Sequence, residues 1–391
     1  MPAPMMDTYA PPELIFDHGK GVRLVTDKGD SYLDFISGIA VNCLGHAHPK
    51  AVAALTEQAG KLWHLSNMFK VPAGIELADK LTAATFADRV FFTNSGAEAM
   101  ECALKTARRY QYVSGNPQRY RIITFTGAFH GRTYGAINAG GNPKYLEGFG
   151  PAMEGFDHVE FGNLDAVRAV LSEETAAICV EPVQGEGGVR AGDDAFLRGL
   201  RQICDENGLM LIYDEVQCGA GRTGKLYAHQ WVEGAEPDIM ASAKGIGGGF
   251  PMGACLATEA AARGMVVGTH GSTYGGGPLA MAVGNVVFDE LTSDGFLDHV
   301  VEMANFMQQQ LHGLADRHSD KIEEVRGKGL LLGLKLKQGF DPKQLVVKAR
   351  DRHLLIGAAG DNVARMAPPL IITRDDASEA IAILDEALSA L

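Results

Sequence analysis

At 391 residues the chain can bury a large core, as one big domain or two. Its 46% hydrophobic and 21% charged residues describe an ordinary globular protein, and 35 basic against 48 acidic residues leave a net charge of −13, which argues against sequence-independent binding of nucleic acid. No run approaches the ~18 apolar residues of a membrane-spanning helix, and the start, MPAPMMDTYAPPELIF, lacks a basic segment followed by an apolar one, so neither a membrane protein nor a secreted one is expected.

The six cysteines (Cys43, Cys102, Cys179, Cys204, Cys218 and Cys255) form no C-x-x-C pair and read as buried thiols of a reducing compartment. Size and composition together point to a cytoplasmic enzyme.

Residues 1–50 read as an N-terminal arm belonging to a small domain. From 51 to 285 short apolar runs alternate with helical ones. RVFFT (89–93) reads as a strand, and Met100, Ala103, Leu104, Ala107 and Tyr110 then fall on one helical face. Glu101 and Lys105 form an expected i,i+4 pair, and Arg108 and Arg109 suit the helix C-terminus. Further strands are expected at RIITF (121–125), AAICV (176–180), LMLIY (209–213), DIMAS (238–242) and ACLAT (254–258). A helix over 195–206 carries Phe196, Leu197, Leu200, Ile203 and Cys204 on one face and closes at Asn207-Gly208. Continuous apolar strands alternating with helices predict an α/β fold with a mainly parallel sheet covered on both faces. Residues 286–391 change rhythm, with longer helices around GKGLLLGLKLK (327–337), LLIG (354–357) and VARMA (363–367), and predict a smaller α+β domain joined by the arm.

Ligands of such sheets bind outside the carboxyl ends of the strands. Asn94-Ser95-Gly96-Ala97-Glu98 follows the first strand, and Phe129-His130-Gly131-Arg132-Thr133 comes after the second. Glu181-Pro182-Val183-Gln184-Gly185-Glu186 and Asp214-Glu215-Val216-Gln217 end two more, and DIMAS leads into Lys244. Each piece has a bland explanation. Ser95 and Glu98 fit a capping box, although the same helix start with Gly96 would also hold a phosphate. Phe129 alone suits a core, Asp214 a turn cap, and Arg132 a solvated surface. His46 and His48 lack further ligands at metal-binding spacing, so a zinc site is rejected. Gly219-Ala220-Gly221-Arg222-Thr223-Gly224 spells G-x-G-x-x-G and nearly a P-loop with Lys225. Its glycines, however, lie five residues past the strand, and Leu226 stands where Ser or Thr must bind magnesium. A nucleotide-binding protein is therefore the runner-up class.

Lys244 ends an apolar run and is followed by five glycines in nine residues, Gly245 to Gly253, an odd place for a residue that prefers solvent. Together the pieces suit pyridoxal phosphate, which needs a lysine for a Schiff base, an anion at its ring nitrogen, a phosphate cradle and ring-stacking groups. Lys244 is then the residue that carries the cofactor.

NSGAEAMECALKTAR, FHGRT, EPVQGEGGV, DEVQCGAGRTG, SAKGIGGGFPMG and HGSTYGG also resemble the subgroup III (ornithine-type) aminotransferases of fold type I, and the resemblance runs from Tyr9 to the APPL segment at 367–370. YLDFISGIAVNCLGHAHP (32–49) looks most like the acetylornithine-using branch of that group. The resemblance implies that Lys244 forms the Schiff base, Asp214 pairs with the pyridine nitrogen, and Gln217 contacts the 3′-oxygen. It implies that Phe129 and Val216 cover the ring faces, and that Gly96, Ala97 and Ser95 bind the phosphate. Thr273 would reach the phosphate of a partner subunit's cofactor, which requires at least a dimer. Arg132 would hold the substrate α-carboxylate, with Tyr9 and Ser272 nearby, and Glu186 would pair with Arg365 until 2-oxoglutarate needs that arginine. The chain departs from the family pattern at Gly277, where asparagine is commoner.

The implied activity is transfer of the terminal amine of N2-acetylornithine to 2-oxoglutarate, a step of arginine biosynthesis. Related transaminases of ornithine, succinylornithine or 4-aminobutyrate stand as alternatives. An aminomutase or racemase on the same cofactor would need no amino acceptor, and a non-catalytic binding protein would not need the full set of Lys244, Asp214, Arg132, Glu186 and Arg365.

Overall fold

A seven-stranded sheet lies at the centre of the computed structural model, which describes residues 5–391. The first four residues of the expected arm lie outside the described residues. Across the sheet the strands run Arg89–Thr93, Gly253–Ala257, Ile239–Ala243, Met210–Asp214, Thr175–Val180, Arg121–Phe125 and Phe156–Val159. The last five are parallel to one another, while Gly253–Ala257 is antiparallel to both neighbours. Direction follows from connection length. Residues 244–252 are too few for the crossover of about a dozen residues that a parallel return requires.

Four of these strands, Thr175–Val180, Met210–Asp214, Ile239–Ala243 and Gly253–Ala257, are buried at every position. This is why they read as unbroken apolar runs rather than alternating ones. The helix Asp194–Asn207 turns Phe196, Leu197, Leu200, Ile203 and Cys204 inward. Asp193 caps its start, and Gly208, at φ 65°, ends it.

The helix Gly96–Val113 buries Met100, Ala103, Leu104 and Ala107 as expected, but it runs a turn past Arg108 and Arg109. Those arginines therefore serve packing rather than the helix end: Arg108 lies 5.3 Å from the Phe156 ring centre, and Arg109 donates to the Gly264 carbonyl at 3.1 Å. The expected Glu101–Lys105 pair does not form. Thr133 donates its hydroxyl to Glu101 Oε1 at 2.5 Å, and Lys105 Nζ lies 2.8 Å from His270 Nδ1. An exposed i,i+4 pair contributes only ~0.3–0.5 kcal/mol, so tertiary partners outcompete it.

Towards the C-terminus, Ile322–Lys328, Leu331–Leu336, Val363–Met366 and Gly357–Ala359 form an antiparallel sheet covered by the helix Phe296–Arg317. GKGLLLGLKLK is thus split between two strands by a turn at Gly329, whose φ is 62°. Leu354–Leu355 leaves that sheet and pairs with Ser31–Asp34 near the N-terminus, with Leu354 opposite Leu33. Gly277 adopts φ −62° at the N-cap of Pro278–Leu291, a conformation open to asparagine as well as glycine. All six cysteines are free and buried. Among the described residues no helix is long and apolar enough to cross a membrane.

Candidate active site

Lys244 leaves the buried strand Ile239–Ala243 at φ 51°, a left-handed conformation that strains any residue with a side chain. The glycines after it let the chain fold back. A Cβ on Gly245 would lie 2.8 Å from Ala220 Cβ, and Gly248 and Gly249 take φ of 54° and 113°. The amine faces a cavity of about 260 Å³. Loss of water around it, reinforced by the positive charge of Arg365, holds its ammonium below the usual lysine range despite Glu186 and Asp214.

One wall of the cavity is the start of the helix Gly96–Val113. Ser95 caps it, its hydroxyl accepting from the Glu98 N–H at 3.3 Å. The second half of the expected box is displaced by one residue, because Glu98 Oε2 accepts from the Asn94 N–H at 2.6 Å and from Asn94 Nδ2 at 2.9 Å. Gly96 and Ala97 line the cavity with first-turn N–H groups that lack helical partners. A Cβ on Gly96 would come within 2.6 Å of Val216 Cγ1, so only glycine leaves this corner open.

Asp214 is the last residue of its strand. Its Oδ1 accepts from the Val216 N–H at 3.0 Å, and its Oδ2 lies 2.7 Å from His130 Nδ1. Glu181 Oε2 accepts from the Phe129 N–H at 3.1 Å. Burial, with the nearby Asp214 charge, pushes the Glu181 carboxyl up to about 8. Burial would lower the His130 pKa, but the hydrogen bond and charge of Asp214, aided by Glu181, raise it. His130 Nε2 is buried without a partner. Neither residue stands out in the sequence. His130 sits inside FHGRT and Glu181 opens EPVQGEGGV, but only tertiary contact with Asp214 distinguishes them from neighbours in the same motifs.

Arg132 also lines the cavity, its guanidinium 5.3 Å from the centre of the Phe129 ring and 4.0 Å from that of Tyr145. Tyr145, edge-on to Phe129, carries no motif of its own in the sequence. Arg365, buried on the strand Val363–Met366, donates from Nη1 to Glu186 Oε1 at 2.5 Å and to Gln217 Oε1 at 3.0 Å. Gln217 packs so closely over Gly185 that a Cβ there would lie 1.9 Å from its Oε1.

Tyr9, Ser272 and Thr273, like Ser95, Glu186 and Arg365, do not line the cavity. Tyr9 is 88% exposed and Thr273 is exposed. Ser272 accepts from the Gly275 N–H at 2.9 Å and from Asn94 Nδ2 at 3.3 Å, which ties it beside the helix cap rather than to the cavity wall.

Ile39 lies 45% exposed within a run of four left-handed residues, Ser37 to Ala40, with φ of 43°, 65°, 67° and 62°. Such runs are unfavourable for L-residues. This one is held by Asp34 Oδ1, which accepts from the N–H groups of Ile36 and Ser37, and by Ser37 Oγ donating to the Ala367 carbonyl at 2.5 Å.

The glycine loop Gly219–Gly224 is packed as a joint. Arg222 is fully buried and donates to the carbonyls of Leu330 and Pro368, and a Cβ on Gly221 would meet Leu370 at 2.9 Å. No phosphate-sized space remains over its backbone there.

An amine short of water, a buried carboxylate and an open helix start beside an aromatic ring make a donor set that fits pyridoxal phosphate. The sequence matches the family "Aminotransferase class-III" over residues 5–388. The chain is a class-III aminotransferase. It is 60% identical over 377 residues to the acetylornithine aminotransferase of Mesorhizobium japonicum, covering 96% of this chain and 94% of that one. Among solved structures it resembles the N-acetylornithine aminotransferase of Stenotrophomonas maltophilia, with a TM-score of 0.85 and 36% identity over 97% of this chain and 96% of that one. An amine transaminase from an uncultivated Pseudomonas species, solved in its PLP-bound form, superposes with a TM-score of 0.92 at 30% identity, covering 99% of this chain and 98% of that one. The fold is thus that of the class-III, fold type I transferases.

Proposed function

We propose that this aminotransferase moves the terminal amino group of N2-acetylornithine to 2-oxoglutarate, giving N-acetylglutamate 5-semialdehyde and glutamate, in arginine biosynthesis in the cytoplasm. The observation that carries the two-substrate reading is the ion pair between Arg365 and Glu186, whose charges both act on the Lys244 amine and which joins the cavity wall through the Arg365–Gln217 hydrogen bond.

Pyridoxal phosphate, when bound, supplies an aldehyde that takes up the amine and an electron-withdrawing ring that acidifies the carbon bearing it. Gly96, Ala97 and Ser95 would hold its phosphate, Asp214 its ring nitrogen, Gln217 its 3′-oxygen, and Phe129 and Val216 its two faces. Because its ammonium is destabilised by loss of water, Lys244 reaches the neutral, nucleophilic amine more readily than a solvated lysine. Lys244 Nζ would take up the proton from the substrate's amine-bearing carbon and hold it for return.

Arg132, its guanidinium 4.0 Å from the centre of the Tyr145 ring, is placed to bind the α-carboxylate of acetylornithine at a distance from the reacting terminal amine. Glutamate reacts at its α-amine and needs a cation close to the reacting carbon, which Arg365 supplies once Glu186 lets go. Thr273, Tyr9 and Ser272 are read as completing the site across a homodimer, with the exposed Thr273 reaching the partner's phosphate.

Purified protein assayed with 2-oxoglutarate against acetylornithine, succinylornithine, ornithine and 4-aminobutyrate tests the proposal. Acetylornithine should give the highest kcat/KM with one glutamate formed per amine consumed. Turnover without glutamate would point instead to a mutase or racemase.

A further inference from the structure

A second cavity, of about 370 Å³ and sharing no wall residue with the first, opens beside the helix Gly96–Val113 and the strand Gly253–Ala257. Cys102 of the helix and Cys255 of the strand both stand in its wall, with Arg89, Thr106, Glu259 and Arg263. The two side chains interact across that shared wall, and Cys102 also interacts with the side chain of His270. Lys105 Nζ lies 2.8 Å from His270 Nδ1, so that nitrogen accepts, and in the neutral ring the proton is left on Nε2. The Phe91 ring, 4.8 Å away, packs against the imidazole. Two thiols, a hydrogen-bond donor and an open space are thus assembled in a place the transamination chemistry does not use.

We propose that Cys102 and Cys255 form a peroxide-reactive pair, in which hydrogen peroxide oxidises Cys102 and Cys255 then closes a disulfide with it. The thiolate of Cys102 attacks one peroxide oxygen and breaks the O–O bond. The departing hydroxide takes up the thiol proton as water and leaves a sulfenic acid. The Cys255 sulfur attacks the Cys102 sulfur, and the sulfenic oxygen leaves as a second water with the Cys255 proton. Two thiols and one peroxide become one disulfide and two waters, the sulfurs losing two electrons and the peroxide gaining them.

The two thiols are suited to different parts. The hydrogen bond from Cys255, helped by His270, draws Cys102 down to about 6 against the effect of burial, while the same contact and burial push Cys255 upward. The other four cysteines lack this environment: burial raises Cys43, Cys179, Cys204 and Cys218. None of them lines the cavity.

The test is differential labelling of cofactor-loaded protein after brief exposure to hydrogen peroxide. Free thiols are blocked under denaturing conditions, disulfides are then reduced, and the released thiols are tagged and mapped. The tag should fall on Cys102 and Cys255 together, at least tenfold above the other four, with a loss of two hydrogens in the intact mass. In Cys255→Ser, a sulfenic-acid trap should label Cys102, whereas in Cys102→Ser, Cys255 should resist oxidation. Equal tagging of all six cysteines, oxidation of Cys255 without Cys102, or no oxidation of either would overturn the proposal. The wild-type map alone decides it if a variant fails to fold.

Discussion

His130 Nδ1 lies 2.7 Å from Asp214 Oδ2 in the interior, and Glu181 stands in the same cavity wall with its carboxyl pushed up to about 8. Two carboxyls and an imidazole out of solvent are tolerable because burial and the Asp214 charge favour the protonated carboxyl of Glu181, while Asp214 favours the protonated imidazole of His130. A Glu181 pKa raised on folding means that the native state binds the extra proton between about pH 5 and pH 8. Its contribution is therefore fully present at low pH and lost as pH climbs through about 8. The raised His130 pKa acts in the same direction.

Glu181→Gln keeps an oxygen for the Phe129 N–H and removes the titration. We expect the variant's unfolding free energy to fall less steeply with pH than the wild type's, the slopes differing by up to ~1 kcal/mol per pH unit between about pH 5 and 8. Urea melts across that range measure it, and parallel slopes for the two proteins would remove Glu181 from the buried charge balance.

Lys244→Ala should leave the protein colourless, without the visible band of the lysine-bound cofactor, and should abolish nearly all turnover. Borohydride reduction of the wild type followed by peptide mapping should place the cofactor on Lys244. Lys225, whose ammonium sits 5.2 Å from the Trp231 ring centre in the glycine joint, should carry none. Cofactor found on Lys225 would reverse that assignment.

Much of this was legible in the chain. The strands and the helix 194–207 announce themselves because burial on both sheet faces demands unbroken apolar runs and a clear 3.6-residue stripe. Lys244, Asp214 and Gly96 were legible because each ends a strand or starts a helix at the sheet's ligand-binding edge. His130, Glu181 and Tyr145 were not, since their importance comes from contacts with residues distant in sequence, and a buried carboxyl looks like any glutamate until its neighbours are known. The Glu101–Lys105 pair failed for the same reason: local spacing cannot reveal that Thr133 and His270 are closer partners. The left-handed run at Ser37–Ala40 carries only one glycine, and its support arrives from Ala367 at the far end of the chain.

We propose that Ile39, half exposed on that run, faces the substrate's α-amine, to which its apolar side chain offers no hydrogen-bond partner. Leaving a polar group unpaired costs ~1–3 kcal/mol, or roughly tenfold to a hundredfold in discrimination. Acetylornithine should therefore exceed ornithine in kcat/KM by that order, and Ile39→Tyr, which supplies a hydroxyl, should narrow the gap. Equal efficiency for the two amines in the wild type would remove Ile39 from substrate choice.

We propose that one site serves two donors in turn because Glu186 masks Arg365 for one and releases it for the other. Arg365 is almost wholly buried, so removing its partner leaves a charge that a glutamate α-carboxylate can satisfy. Stopped-flow half-reactions of Glu186→Ala with each donor measure this directly. The glutamate half-reaction should keep or gain speed while the acetylornithine half-reaction slows, shifting their ratio toward the α-amine by about tenfold or more, as the loss of a ~2–5 kcal/mol charge pairing allows. An unchanged ratio, or a shift toward acetylornithine, would contradict it.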